Sequence, residues 1–253
     1  MFTKLLSAMR PARPRTAHAP PDTLVYAVGD IHGRLDLLRF AHQRIEADAQ
    51  ASTARRKLVV YVGDYIDRGP NSRLVVDLLL DEPLPRFEAI HLRGNHEQAL
   101  LDFLQDSEVA AEWFFYGGGA TLESYGVPPP TPGGGPNALL ALQADFKASL
   151  PERHLAFYNG LTLAHREGDY LFVHAGIRPC VALNAQSAHD LLWIRDSFLQ
   201  SNADHGAMIV HGHTITPRPE IKSNRIGIDT GAYSTGRLTC LRLERDEREF
   251  LSL

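Results

Sequence analysis

The sequence predicts an α/β fold of mixed sheets flanked by helices, and three observations carry that prediction. From residue 24 to about residue 100, short apolar runs alternate with helix-patterned stretches. That is the βαβαβ rhythm of parallel strands joined by right-handed crossovers. Between about 102 and 160 the rhythm breaks at clusters of glycine and proline. Beyond 161, strand patterns return in quick succession, as antiparallel or mixed pairing requires.

Each element follows from its pattern. LVYAV (24 to 28) is a continuous apolar run of strand length, followed by a Gly-rich turn and a helical stretch from Leu35 to about Ala49. KLVVYV (57 to 62) repeats the event, with a second Gly-rich turn and a helix from about Ser72 to Leu80. AIHL (89 to 92) is the third strand, and a helix starts near Glu97. The segment from about 102 to 160 holds GGG at 117 to 119, PPP at 128 to 130 and PGGGP at 132 to 136, which reads as a partly helical insertion with a mobile loop. LTLAH (161 to 165) and DYLFVH (169 to 174) flank a turn-like REGD and form a hairpin. A helix around Ala188 to Leu199 precedes AMIVH (207 to 211), RIGID and RLTCLRLE, strands that would complete a second sheet packed on the first.

Residues 1 to 22 carry Lys4, Arg10, Arg13 and Arg15, with no acid before Asp22, and four prolines. They read as a flexible basic tail, although Phe2, Leu5, Leu6 and Met9 have the spacing of a helix that could dock on the domain or on an anionic membrane. Residues 23 to 253 then form a single domain. Its 44% hydrophobic residues suffice for a sizeable core. A formal net charge of -4 gives no reason to expect nucleic acid as a partner, because phosphate-backbone binders carry a basic excess. Cys180 and Cys240 stand far apart outside any CxxC pattern, so neither a disulfide framework nor a thiolate metal cage is indicated. No apolar run approaches the roughly 18 residues of a membrane span, and no signal-peptide pattern follows the start. A cytoplasmic protein without a membrane partner is expected.

Chemistry concentrates at the strand ends, where ligands of such sheets gather. Six segments lie there: GDIHG (29 to 33), GDYIDRGP (63 to 70), RGNHE (93 to 97), HAG (174 to 176), HGHT (211 to 214) and DTGA (229 to 232). Taken singly, an Asp after Gly is a turn or cap residue and a His at a strand end is a satisfied core group. Recurrence of the same event at successive strand ends overturns that reading. Carboxylate, amide oxygen and imidazole without sulfur suit manganese, iron or zinc, whereas softer metal chemistry would need thiolates.

The ordered set GDxHG, GDxxDRG, RGNHE, HAG and GHT resembles the phosphoprotein phosphatase branch of the calcineurin-like metallophosphoesterases, especially the small bacterial and bacteriophage lambda type, over residues 24 to 245. The resemblance implies a β-sandwich of mixed sheets flanked by helices, with a dinuclear metal site at the strand ends. It implies that Asp30, His32 and Asp64 bind one divalent transition-metal ion, with Asp64 bridging to a second that Asn95, His174 and His213 complete. Manganese is the expected metal on family grounds, with iron or zinc as alternatives. Arg68, Asn95 and His96 would face the phosphate, Asp67 would orient His96, and Arg195 would be a second phosphate-binding arginine. His211 and Asp229 are expected to support these groups by packing.

Two such cations about 3.5 to 4 Å apart lower the pKa of a shared water from near 15.7 toward neutrality, and the resulting hydroxide attacks phosphorus in line. Guanidinium forks at Arg68 and Arg195 would meet the charge on the phosphoryl oxygens. His96 would protonate the leaving oxygen. The expected substrate is a phosphate monoester, phosphoserine or phosphothreonine in a protein, with phosphotyrosine also open. The alternative is symmetrical hydrolysis of diadenosine tetraphosphate. Enzymes of that type resemble GDLVARGP and GNHD where this chain has GDYIDRGP and RGNHE. An inactive phosphatase-fold binding protein is the remote alternative, since no ligand of the set is missing. A nuclease is disfavoured by Asp67, Arg68 and the acidic balance. Segment 113 to 126, WFFYGGGATLESYG, either shapes the pocket or packs the insertion.

Overall fold

The computed structural model describes residues 16 to 129 and 135 to 251. Residues 1 to 15 of the basic tail, and most of the glycine-proline loop at 128 to 136, lie outside the described residues.

Strands β1 (Thr23–Val28), β2 (Arg56–Tyr61) and β3 (Glu88–His91) are parallel neighbours. Helices α1 (Leu35–Ala49) and α2 (Ser72–Asp81) form the crossovers. Side chains alternate across a strand, and the two faces of β1 meet different partners. Leu24, Tyr26 and Val28 pack under the helices with Leu38, Ile45 and Val75, while Val25 and Ala27 face the second sheet. Both faces are buried, which explains why these strands read as unbroken apolar runs.

After α3 (Asn95–Gln105) the insertion contributes α4 (Ala110–Phe115), α5 (Gly118–Ser124), α6 (Gly135–Ser149) and α7 (Glu152–Gly160). The second sheet contains β4 (Ala164–Glu167), β5 (Tyr170–Val173), β6 (Met208–His211), β7 (Glu220–Ile221) and β8 (Arg225–Gly227), in the order β4-β5-β6-β8-β7. Phe172, Val210 and Ile226 from this sheet meet Val25, Val60 and Leu243 from the first, which forms the sandwich interior. Its outer face is covered by α8 (Ala188–Trp193) and α9 (Asp196–Leu199), through Leu191, Ile194 and Phe198.

The structure corrects four expectations. RLTCLRLE does not enter the second sheet: its core forms β9 (Cys240–Glu244), which pairs antiparallel with β1. Leu241 and Leu243 thereby reach the sandwich interior, and β10 (Glu247–Leu251) extends the sheet to the order β10-β9-β1-β2-β3. The hairpin strand begins at Ala164 rather than at 161, because the segment before it makes only an isolated bridge, Leu92 to Thr162. The helix expected at 188 to 199 is two short helices, broken where Arg195 adopts φ -130° and ψ -104°. Residues 16 to 22 of the expected tail pack against the domain: Ala17 and Ala19 are buried, and Ala19 donates its N–H to Arg245.

The turn after β2 has an unusual backbone. Gly63, Asp64, Asp67 and Arg68 all have positive φ, with Gly63 at 103°. A Cβ at Gly63 would lie 2.5 Å from the backbone nitrogen of Gly94, so the turns after β2 and β3 approach too closely for any side chain. Gly63→Ala is therefore expected to destabilise the protein by about 3 kcal/mol, a drop in Tm of roughly 6 to 12 °C. A thermal melt indistinguishable from wild type would contradict the close approach.

Candidate dinuclear metal centre

The three parallel strands of the first sheet and the strands β5 and β6 of the second all end at one edge of the sandwich. The turns that follow bring the predicted residues together. Asp30, His32, Asp64, Asp67, Asn95, His96, His174 and His213 are all buried. Arg68 and Arg195 are exposed at the rim.

Asp64 lies at the centre. Its Oδ1 is 3.4 Å from His174 Nε2, and its Oδ2 is 3.5 Å from His32 Nε2 and 3.7 Å from His96 Nε2. Two groups of side chains could hold cations, His32 with Asp64 and His96, and Asp64 with His174 and His213. Burial opposes the negative charge on Asp64, but His174, His96, His32 and His213 outweigh it and hold the carboxyl well below the usual range.

The donor set fits divalent cations, because lone pairs face one another without protons between them. A carbonyl oxygen only accepts, so His32 must donate Nδ1–H to Ile66 (2.8 Å) and His174 must donate Nδ1–H to Val62 (2.9 Å). The Nε2 lone pair of each neutral ring also faces an acceptor: Asp64 for His32, whose Nε2 accepts from Arg68 Nη1 (3.1 Å) as well, and both Asp64 and Asn95 Oδ1 (2.9 Å) for His174. Asn95 Oδ1 also lies 2.9 Å from His213 Nδ1, while His213 Nε2 and Asp30 Oδ1 are buried without a partner. Unpaired buried acceptors of this kind are costly unless a cation satisfies them. Burial lowers the pKa of His32 to about 3 and that of His213 to about 2, in each case with the help of a neighbouring imidazole. Both rings are therefore neutral, as metal ligands must be.

His96 differs from the other histidines. Its Nδ1 is 2.7 Å from Asp67 Oδ2, and both residues are buried. Burial opposes charge on the ring, but the Asp64 charge and the Asp67 hydrogen bond and charge outweigh it, so its pKa is raised. Asp30 Oδ1 is buried on the same side, where burial and the charges of Asp229 and Asp64 push its carboxyl well above the usual range. Asp30 is fixed through Oδ2, which accepts His213 N–H at 2.9 Å.

Arg68 spans the mouth: its Nη1 is 3.1 Å from His32 Nε2, and its guanidinium lies over Tyr233 at 4.6 Å. Arg195 stands at the break between α8 and α9, where its Nη1 is 3.4 Å from Thr214 Oγ1. Asp229 accepts Gly231 N–H at 2.8 Å, and burial raises its pKa to about 6. His211 turns away from the cluster and packs edge-on against Phe198.

Three contacts had no signature in the sequence. Glu97 is buried and accepts backbone N–H groups from Asp64 (2.9 Å), Tyr65 (2.8 Å) and Gly94 (2.9 Å), which clamps the two turns that carry Asp64 and Asn95. Trp113 Nε1 reaches Asp67 Oδ2 at 3.0 Å, and Thr121 Oγ1 reaches Asp67 Oδ1 at 2.6 Å. Glu97 closes the RGNHE segment, yet nothing in that segment says which backbone groups it meets. Nothing in residue spacing links 113 or 121 to 67.

The calcineurin-like phosphoesterase family model matches residues 23–246. Serine/threonine-protein phosphatase 1 of Salmonella typhimurium is 31% identical over 228 residues, covering 87% of this chain and 92% of that protein. Bis(5'-nucleosyl)-tetraphosphatase PrpE [asymmetrical] of Bacillus thuringiensis is 26% identical over 235 residues, covering 85% and 88%. Among solved structures, a candidate diadenosine tetraphosphatase superposes with TM-score 0.62 at 19% identity over 93% of this chain and 97% of its own. A cold-active protein tyrosine phosphatase gives 0.57 at 18%, over 94% and 82%. These last two likenesses speak to the fold alone. The family match spans nearly the whole chain and agrees with the clustered aspartate, asparagine and histidine donors: the chain belongs to the calcineurin-like phosphoesterase family and is a metal-dependent hydrolase.

Proposed function

We propose that this hydrolase cleaves phosphate monoesters, chiefly phosphoserine or phosphothreonine in proteins. The observation that carries the reading is the buried pair of His96 and Asp67, 2.7 Å apart. A serine alkoxide is very basic and must be protonated as it departs, whereas a nucleotide leaves readily as an anion. A positioned acid therefore serves the first reaction far more than the second.

Asp30, His32 and Asp64 would hold one divalent cation, and Asp64, Asn95, His174 and His213 the other, with manganese the first to test. When bound, such a pair supplies a nucleophilic water at neutral pH and neutralises charge on the phosphoryl group. The chain's own residues do the rest. Arg68 and Arg195 grip the remaining phosphoryl oxygens from the rim. His96 holds its transferable proton at Nε2, with Nδ1–H anchored on Asp67, and passes it to the departing oxygen.

The second reading, hydrolysis of diadenosine tetraphosphate, is favoured by the relatives named for that substrate. Those relatives are named for asymmetrical cleavage, not for the symmetrical type anticipated from the sequence. Turnover of a phosphopeptide panel beside dinucleoside polyphosphates, under one defined metal and pH, separates the two. The expected result is a higher kcat/KM on phosphoserine or phosphothreonine peptides. A tenfold or greater preference for the dinucleotide would establish the second reading instead.

A further inference from the structure

We infer that Trp113 and Thr121 are positioning residues that hold the Asp67 carboxylate in the orientation His96 needs, an inference that rests on the proton-delivery reading above. The Asp67 side chain has three donors from three helices. Oδ2 accepts from His96 Nδ1 (2.7 Å, α3) and Trp113 Nε1 (3.0 Å, α4), and Oδ1 lies 2.6 Å from Thr121 Oγ1 (α5).

The loop that bears Asp67 cannot by itself fix the carboxylate. Carboxylate rotation about the last side-chain bond of aspartate is broad, so the plane of the group is set by what its oxygens meet. Its backbone, at φ 70°, is left-handed and needs outside support. That support comes from the same threonine, since Asp67 N–H is 2.9 Å from Thr121 Oγ1 and 3.1 Å from Ser72 Oγ. The indole is immobile. Trp113 is fully buried between Phe103 and Phe146, with ring centroids at 5.0 and 5.7 Å, and it lies flat on Gly118, where a Cβ would come within 2.5 Å of the ring. A carboxylate rotated out of place would lose both bonds, because neither donor can follow it. The insertion is in this way an extension of the acid apparatus, delivered 46 and 54 residues along the chain from Asp67.

The test uses Trp113→Phe, which removes the N–H and keeps most of the ring, the isosteric Thr121→Val, and the conservative Thr121→Ser. Each is assayed with manganese on an alkyl phosphate and on p-nitrophenyl phosphate, whose leaving group needs less protonation. For Trp113→Phe and Thr121→Val, kcat on the alkyl ester is expected to fall about tenfold or more, since bonds to charged groups are the strong ones. The loss on p-nitrophenyl phosphate should be several-fold smaller, with KM and metal content near wild type. Thr121→Ser should recover most of the rate. In an Asp67→Asn background the same changes should cost little more, as expected of groups that act through one carboxylate.

Proton NMR of the metal-free protein adds a readout independent of turnover. The His96 Nδ1–H signal should be slowly exchanging in wild type and in Thr121→Ser, and broadened or lost in the other two. Should Trp113→Phe fail to fold, Thr121→Val carries the test alone. Equal losses on both esters, or an unchanged His96 signal in the folded variants, would overturn the positioning role. His96→Asn serves as the control: if it shows the leaving-group-dependent loss while the Trp113 and Thr121 variants do not, only this inference fails. If His96→Asn shows no such dependence, the acid reading itself fails.

Discussion

Replacing His96 by asparagine is expected to lower kcat on alkyl phosphates by a factor of about 10² to 10⁴ while leaving metal content intact, the usual size of a lost general acid. The geometry supports both halves of that expectation. His96 spends Nδ1 on Asp67 at 2.7 Å, and its Nε2 is 3.7 Å from Asp64, farther than the His32 and His174 nitrogens at 3.5 and 3.4 Å. Its raised pKa sets it apart from His32, His174 and His213, whose values are lowered. A ring whose Nδ1 is tied to a buried carboxylate is suited to proton donation. Asparagine also keeps a polar side chain beside Asp67, so burial of an unpaired carboxylate is reduced. The measurement is a kcat comparison across esters of graded leaving-group basicity. Losses that do not depend on the leaving group would remove His96 from the acid role.

Asp64→Asn is expected to have an equally large effect by a different route. This carboxylate is the one group common to both sets of candidate ligands. Losing its charge should drop bound metal from about two equivalents to fewer than one, and activity by about 10³ or more, because metal neutralisation of developing charge is worth several kcal/mol and each 1.36 kcal/mol is tenfold. Metal-free wild type should show the same loss and a lower Tm, with both recovered on adding manganese, since a ligand that binds only the folded state stabilises it. Elemental analysis and thermal melts before and after chelation provide the check. Full activity with less than one equivalent of metal would contradict the dinuclear reading.

Much of this clustering was legible in the sequence because the candidate ligands sit where apolar runs end. Each of Asp30, Asp64, Asn95, His174 and His213 follows a strand within a few residues, so strand assignment alone placed them at one edge. The parallel order of the first three strands was legible for the same reason, through the helix-length crossovers between them. Other features depend on tertiary contacts that leave no local trace. Whether Leu241 and Leu243 face the interior from the first sheet or the second is invisible in an alternating pattern, since either placement buries the same side chains. The break at Arg195 interrupts a helix-patterned stretch, and Ile194 and Phe198 on either side of it join the buried cluster with Leu171 and Ile209 of the second sheet. Trp113 and Thr121 were part of an aromatic and glycine-rich segment with two plausible uses, and only the fold brings them to Asp67.

The reading that this is a phosphomonoesterase acting on protein substrates turns on Asp67, and one double comparison tests it most directly: kcat/KM for a phosphoserine or phosphothreonine peptide and for diadenosine tetraphosphate, under the same metal and pH, in wild type and in Asp67→Ala. Removing the carboxylate should depress peptide turnover by about 10² or more, through loss of the oriented acid, and should leave dinucleotide turnover much less affected. Equal damage to both substrates, or a wild-type preference of tenfold or more for the dinucleotide, would contradict it.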